Sequence, residues 1–110
     1  MPTPVPPVGT IVSANMKGAS LHGANLNKAS LRWANLQESD LGGADLQGAD
    51  LREVKLDKAN LSEANLKGAD LRHALGLTPQ QIKSAIIDSA TKLPDDLKPL
   101  ARSRTGAKQR

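Results

Sequence analysis

Arg32, Arg52 and Arg72 stand twenty residues apart, and Asp50 and Asp70 precede the last two by two residues. Guanidinium groups in such a series could grip a carboxylate or a phosphate through paired N–H donors. Trp33 follows the first arginine, and an indole can stack on a ligand or lie under a cation. Two aspartates brought about 5 Å apart would have the spacing of a retaining glycosidase pair. Ser20, His22 and Asp40 have the residue types of a nucleophile, a base and an orienting acid. Groups spread over so much chain meet only if a regular element brings them into register.

That element is a repeat. Residues 14–73 read A-N-M-K-G, A-S-L-H-G, A-N-L-N-K, A-S-L-R-W, A-N-L-Q-E, S-D-L-G-G, A-D-L-Q-G, A-D-L-R-E, V-K-L-D-K, A-N-L-S-E, A-N-L-K-G, A-D-L-R-H: twelve units of five without an insertion. The first position is Ala in ten units and Ser39 or Val54 in the others. The third is Met16, then Leu21, Leu26, Leu31, Leu36, Leu41, Leu46, Leu51, Leu56, Leu61, Leu66 and Leu71. Neither a 3.6-residue nor a two-residue period keeps both sets on one continuous face. A chain that turns a corner every five residues does, sending first and third residues inward from a short extended side. Four sides make a coil of twenty residues, and coils stack about 4.8 Å apart through backbone hydrogen bonds. Short repeats that bury their faces by stacking form a solenoid.

Gly fills the fifth position in five units, which suits the positive φ of a type II turn. Lys28, Trp33, Glu38, Glu53, Lys58, Glu63 and His73 fill the same slot, and another turn type is expected there. Asn or Asp holds the second position in nine units, where its side chain can bond nearby backbone.

These units match A-(D/N)-L-x-x, and the chain resembles the pentapeptide repeat proteins. The resemblance implies an all-β solenoid, a right-handed quadrilateral β-helix, here of about three coils. It covers residues 14–73 closely, with residues 9–13 as a degenerate first unit that turns Ile11 inward. Val54 and Lys55 depart from the pattern within one unit, and Val54 is expected to widen the coil locally. Twelve in-phase Met and Leu side chains form the expected core column, since Trp33 is the single aromatic residue.

Four segments follow: a Pro-rich segment 1–8, the β-helix 9–73, a cap with a short helix 74–100, and a basic tail 101–110. The Pro-rich start reads as a polyproline-like leader or linker, and the tail reads as disordered. After His73 the repeat gives way to A-L-G-L-T-P-Q-Q-I-K-S-A-I-I-D. Thr78 as N-cap, Pro79 at the first helical position and Gln81 completing a capping box predict a helix over about 79–87. Ile82, Ala85 and Ile86 give it an apolar stripe, expected to cover the last coil. A G-L-T-x-x-Q-I ending followed by T-K-L-P is similar to that of many family members.

Stacking at intervals of twenty defines four outer faces. The fourth, with Arg32, Trp33, Asp50, Arg52, Asp70 and Arg72, is the candidate interaction face. The aspartates and Glu53 neutralise its arginines, so a solvated ladder of ion pairs is expected there. Asp50 and Asp70 lie on a convex side with arginine neighbours that favour the ionised form. His22 and His73 fall on different faces and share no metal. No catalytic site, cofactor or metal is expected, and Cys is absent.

The net charge of +4 is uneven. Residues 9–73 hold eight basic and eight acidic side chains, and residues 74–110 hold seven against three. A structural or protein-interaction module with an unknown protein partner is the expected function. The resemblance also implies an alternative, a DNA mimic that binds gyrase, which a neutral and short stack disfavours. Specific nucleic-acid binding is not expected, because the tail offers only weak, salt-sensitive attraction. The chain shows no membrane span and no signal-peptide pattern. A cytoplasmic location is the default, with a monomer or a weak dimer through the coil ends.

Overall fold

Residues 14–98 are described by the computed structural model. The Pro-rich segment 1–8, the degenerate unit with Ile11 and the basic tail 101–110 lie outside the described residues. Every unit closes with the same corner. The N–H of a unit's first residue donates to the C=O of the preceding third residue, as from Ala44 to Leu41 at 3.0 Å. The residue before that donor has φ near +65° to +72° at the glycines. Lys28, Trp33, Glu38, Glu53, Lys58, Glu63 and His73 have φ between 59° and 66°. The second turn type expected at these seven corners is therefore not used. The reason is register: Glu38 N–H also donates to Asp57 O in the next coil at 2.8 Å, so the corner must keep its shape whatever side chain it carries. A left-handed non-glycine residue costs roughly 1–2 kcal/mol, which the ladder overrides.

Side chains at the second position steady the same corner. Asn15, Asn25, Asn35, Asp40, Asp45, Asp50, Asn60, Asn65 and Asp70 each accept the backbone N–H two residues on, at 2.9–3.3 Å. Corner follows corner so closely that each side contributes a single bridging residue. The pairing is a series of isolated parallel bridges, not of extended strands: Asn15 on Asn35 on Lys55, Ser20 on Asp40 on Asn60, Asn25 on Asp45 on Asn65, Ser30 on Asp50 on Asp70. Four bridged sides per twenty residues make the coil four-sided.

The interior is a column of leucines over small residues. Leu31, Leu36, Leu41, Leu46, Leu51, Leu56, Leu61, Leu66 and Leu71 are buried. Met16, Leu21 and Leu26 are only partly buried, because they line the first described coil and have a described coil on one side only. Ser39 is buried in an Ala slot and donates its hydroxyl to Leu36 O at 2.7 Å, so its polarity is satisfied. Val54 is buried, and its corner bond to Leu51 O is 3.3 Å against 3.0–3.1 Å at the other unit corners. The branched side chain spreads that corner slightly.

The bridge ladder continues past the last unit. Leu75 pairs on Lys55, Ile86 on Asn65 and Lys92 on Asp70. The offset grows from twenty to twenty-one to twenty-two residues, because helix α1 (Pro79–Ser84) takes the place of one side. Thr78 and Gln81 form a reciprocal capping box with Pro79 at the helix start. The helix ends before 87, since Ala85 is extended at φ −94°, ψ 168° and Ile86 returns to the ladder. Ile82 and Ala85 are buried. Ile86 was expected on the same stripe but is 37% exposed. It takes the outward second position above Asn65, and Ile87 takes the inward one, partly buried. Gln81 Nε2 donates to Leu56 O at 2.8 Å and Ala59 O at 3.0 Å, and Thr91 Oγ1 donates to Leu66 O at 2.8 Å. These two polar side chains fasten the non-repeat segment to the coil beneath. A 3-10 turn, Asp95–Leu97, follows with Leu97 buried.

Leu46 is fully buried, so Leu46→Ala should destabilise by about 2–5 kcal/mol in urea denaturation. A change under about 0.5 kcal/mol is incompatible with a packed column. The strained corners give a second test. Lys58 is exposed at φ 60°, and Lys58→Gly should raise stability by up to about 1 kcal/mol. Gly43→Ala meets no atom within 4 Å but keeps φ at +65°, and should lower stability by a similar amount.

Candidate functional site

The second-position aspartates organise the fourth face. Asp50 accepts from Arg52 Nε at 2.9 Å and Nη2 at 2.8 Å, and Asp70 from Arg72 at 2.9 Å and 2.7 Å. Each arginine is thus folded back onto the aspartate of its own unit in a two-pronged pair. Arg52 Nε also lies 3.9 Å from Asp70 Oδ2, linking the two rungs. The first rung differs. Ser30 stands where the other rungs have aspartate, and Arg32 instead reaches Glu53 of the next coil at 3.1 Å. Its guanidinium lies 4.4 Å from the centre of the Trp33 ring, a cation–π contact. Arg32 Nε is buried without a hydrogen-bond partner.

The flat-sided coil gave no expectation of a concave site, but the corner beside this ladder has one. A groove of about 410 Å³ is lined by Arg32, Arg52, Glu53, Arg72 and His73. It adjoins a hollow of about 300 Å³ between Arg72, His73, Pro94, Asp95 and Asp96. Glu53 and His73 wall the groove because they occupy fifth positions, where five of the other corners carry glycine. Asp50 and Asp70 do not line it.

The charges leave little room for acid–base work. Hydrogen bonds from Arg52 and Arg72 hold the Asp50 and Asp70 carboxyls below the usual carboxylate range. Mutual repulsion between the two opposes this only weakly. Glu53 is lowered by its bond from Arg32 and by Trp33. All three are ionised at neutral pH, so the stacked pair lacks the protonated member a glycosidase pair needs. His22 Nδ1 lies 3.7 Å from Asp40 Oδ1, with His22 exposed and Asp40 partly so. Asp40 is lowered chiefly by the N–H of Gly42. Among the described residues no three His, Asp or Glu side chains are placed to hold a metal ion. No helix among them is long and apolar enough to cross a membrane.

The structure therefore brings Arg32, Trp33, Asp50, Arg52, Asp70 and Arg72 to one corner. Sequence reasoning had Glu53 among the groups that neutralise the arginines, but missed its diagonal pairing with Arg32, the groove, and the approach of Asp95 and Asp96. The break in the aspartate series at Ser30 was the available signal for the first of these.

Residues 14–52 and 44–74 match the family model for Pentapeptide repeats, in 8 copies. Among solved structures, a pentapeptide repeat protein of Nostoc Pcc 7120 is 30% identical over 83% of this chain and 74% of its own, with a TM-score of 0.39. One from the Arabidopsis thaliana thylakoid lumen is 25% identical over 84% and 74%, with a TM-score of 0.37. HetL, involved in heterocyst differentiation regulation in Nostoc sp. strain PCC 7120, is 35% identical over 70% of this chain and 38% of its own, with a TM-score of 0.35. No curated protein matches the chain in sequence.

The lowered carboxyls give stability a defined pH dependence. Their folded pKa values lie below the ordinary 3.8 of Asp and 4.5 of Glu. Their contribution is therefore complete above the ordinary values and is lost as pH falls through the folded ones. Melting temperature should be nearly flat from about pH 7 to 5 and should drop below about pH 4. Asp50→Asn with Asp70→Asn should flatten that acid limb. Thermal melts followed by circular dichroism check both statements.

Proposed function

The chain belongs to the pentapeptide repeat family, and on that premise we propose that it is a non-enzymatic interaction module. The family fold, a right-handed quadrilateral β-helix, is taken for residues 14–73. The segment with α1 is taken as its C-terminal cap, which the burial of Ile82 and the two bonds from Gln81 support. The observation that carries the reading is the ladder corner. Arg32, Arg52 and Arg72 are held in fixed register by acid partners, beside an indole that is 49% exposed. Pre-oriented guanidinium groups and a large exposed aromatic are what a recognition surface offers, since little entropy is lost when a partner docks. A protein is the partner favoured here, with the chain itself a monomer or a weak dimer through its coil ends, in the cytoplasm.

The alternative, mimicry of DNA, needs an acidic surface. Residues 14–98 carry eleven Lys or Arg and eleven Asp or Glu, and this balance argues for the module. It also argues against specific binding of nucleic acid.

Capture of partners from lysate tests the reading. Immobilised protein carrying Arg32→Ala, Arg52→Ala and Arg72→Ala should lose most of what the parent retains. A control with Lys17→Ala and Lys67→Ala, on other faces, should retain it. Equal capture by both variants, each shown to melt as the parent does, would remove the ladder corner from the function.

A further inference from the structure

We propose that the groove beside the arginine ladder is an oxyanion site, and that a phosphate monoester is the group it receives. The inference rests on the reading of this corner as the interaction face and names the chemistry it recognises.

The lining is cationic where the face as a whole is neutral. Arg32, Arg52 and Arg72 line the groove against the single carboxylate of Glu53. The compensating aspartates hold Arg52 and Arg72 through Nε and Nη2 and do not line the groove. A guanidinium has five N–H donors, so each aspartate pair leaves donors over. The same pairs fix the arginines in place, which reduces the entropy lost on binding.

Arg32 adds the second observation. Its Nε is buried and unpartnered, and an unmet donor on a charged group is costly. The other rungs meet this need with an aspartate, but Ser30 occupies that place on the first rung. That buried Nε is out of a ligand's reach, and an oxyanion in the groove would be met by the Arg32 atoms that line it. The rungs are about 4.8 Å apart. A carboxylate has two oxygens and one charge, enough for one guanidinium. A phosphate monoester has three terminal oxygens and a charge of about −1.5 to −2, enough to engage two rungs. The hollow beyond Arg72 ends in Asp95 and Asp96, so an extended polyanion lying along the corner would meet two carboxylates. The ligand is therefore a single phosphate group and not a nucleic-acid backbone.

Trp33 is the sole tryptophan of the chain, and its ring lies against the Arg32 guanidinium. Its emission reports on the site through Arg32. The full chain is titrated at constant ionic strength with inorganic phosphate, with a phosphoserine peptide and its unphosphorylated form, and with a duplex oligonucleotide. A saturable emission change is expected with phosphate and with the phosphopeptide. It should weaken at least tenfold in Arg32→Gln and in Arg52→Gln, the two adjacent rungs, and should persist in Lys17→Ala. Tighter binding of the phosphopeptide than of free phosphate supports a protein as the source of the group. Equal binding supports a small phosphate ligand in the same site. The inference fails if phosphate gives no saturable change up to about 10 mM, if the change survives both arginine substitutions, or if the duplex binds more tightly than either phosphate. Loss of lysate capture in the ladder variant together with no phosphate response would leave the interaction face standing and remove the oxyanion site alone.

Discussion

The parallel backbone ladder between coils is the constraint on which everything else depends. Leu26 N–H reaches Asp45 O at 2.7 Å, Asp45 N–H returns to Ala24 O at 2.9 Å, and the same exchange recurs along all four sides. Because each side has room for one bridge, no side is stable alone. Register is set by the whole coil, and within residues 14–75 every side chain is placed by its residue number modulo twenty. The core, the corners and the ladder of arginines are consequences of that single rule.

The corners show how firmly the rule is enforced. Seven residues with a Cβ accept the left-handed conformation that glycine would take at no steric cost. Their local preference is outweighed by bonds to the coils above and below. The same corner positions also shape the surface. At three successive corners of one edge, Trp33, Glu53 and His73 replace glycine, and two of these wall the groove. The strain of a non-glycine corner and the presence of a chemically useful side chain are one event.

Where the repeat ends, the ladder does not. Helix α1 substitutes for one side, and Ile86 and Lys92 re-enter the pairing one and two residues late. Gln81 and Thr91 supply hydrogen bonds to carbonyls of the coil beneath. The segment is thus tied to the stack by polar groups that have no counterpart in the five-residue pattern. Its Asp95 and Asp96 also line the hollow that adjoins the groove.

The sequence by itself determined the period, the inward column of leucines and the alignment of Arg32, Arg52 and Arg72, because a five-residue unit leaves one way to bury Ala and Leu together. It also determined the capping box of Thr78 and Gln81, a local motif of four residues. Only the tertiary structure decided the rest. The seven left-handed corners follow from stacking, which no local propensity encodes. Ile86 turned outward because the chain rejoined the ladder, where inward and outward alternate. Arg32 found Glu53 because its own unit offers Ser30 and the next coil offers a carboxylate on the diagonal. That choice of partner, and the groove beside it, depend on side chains from three coils meeting at one corner, a distance relation that the order of residues does not contain.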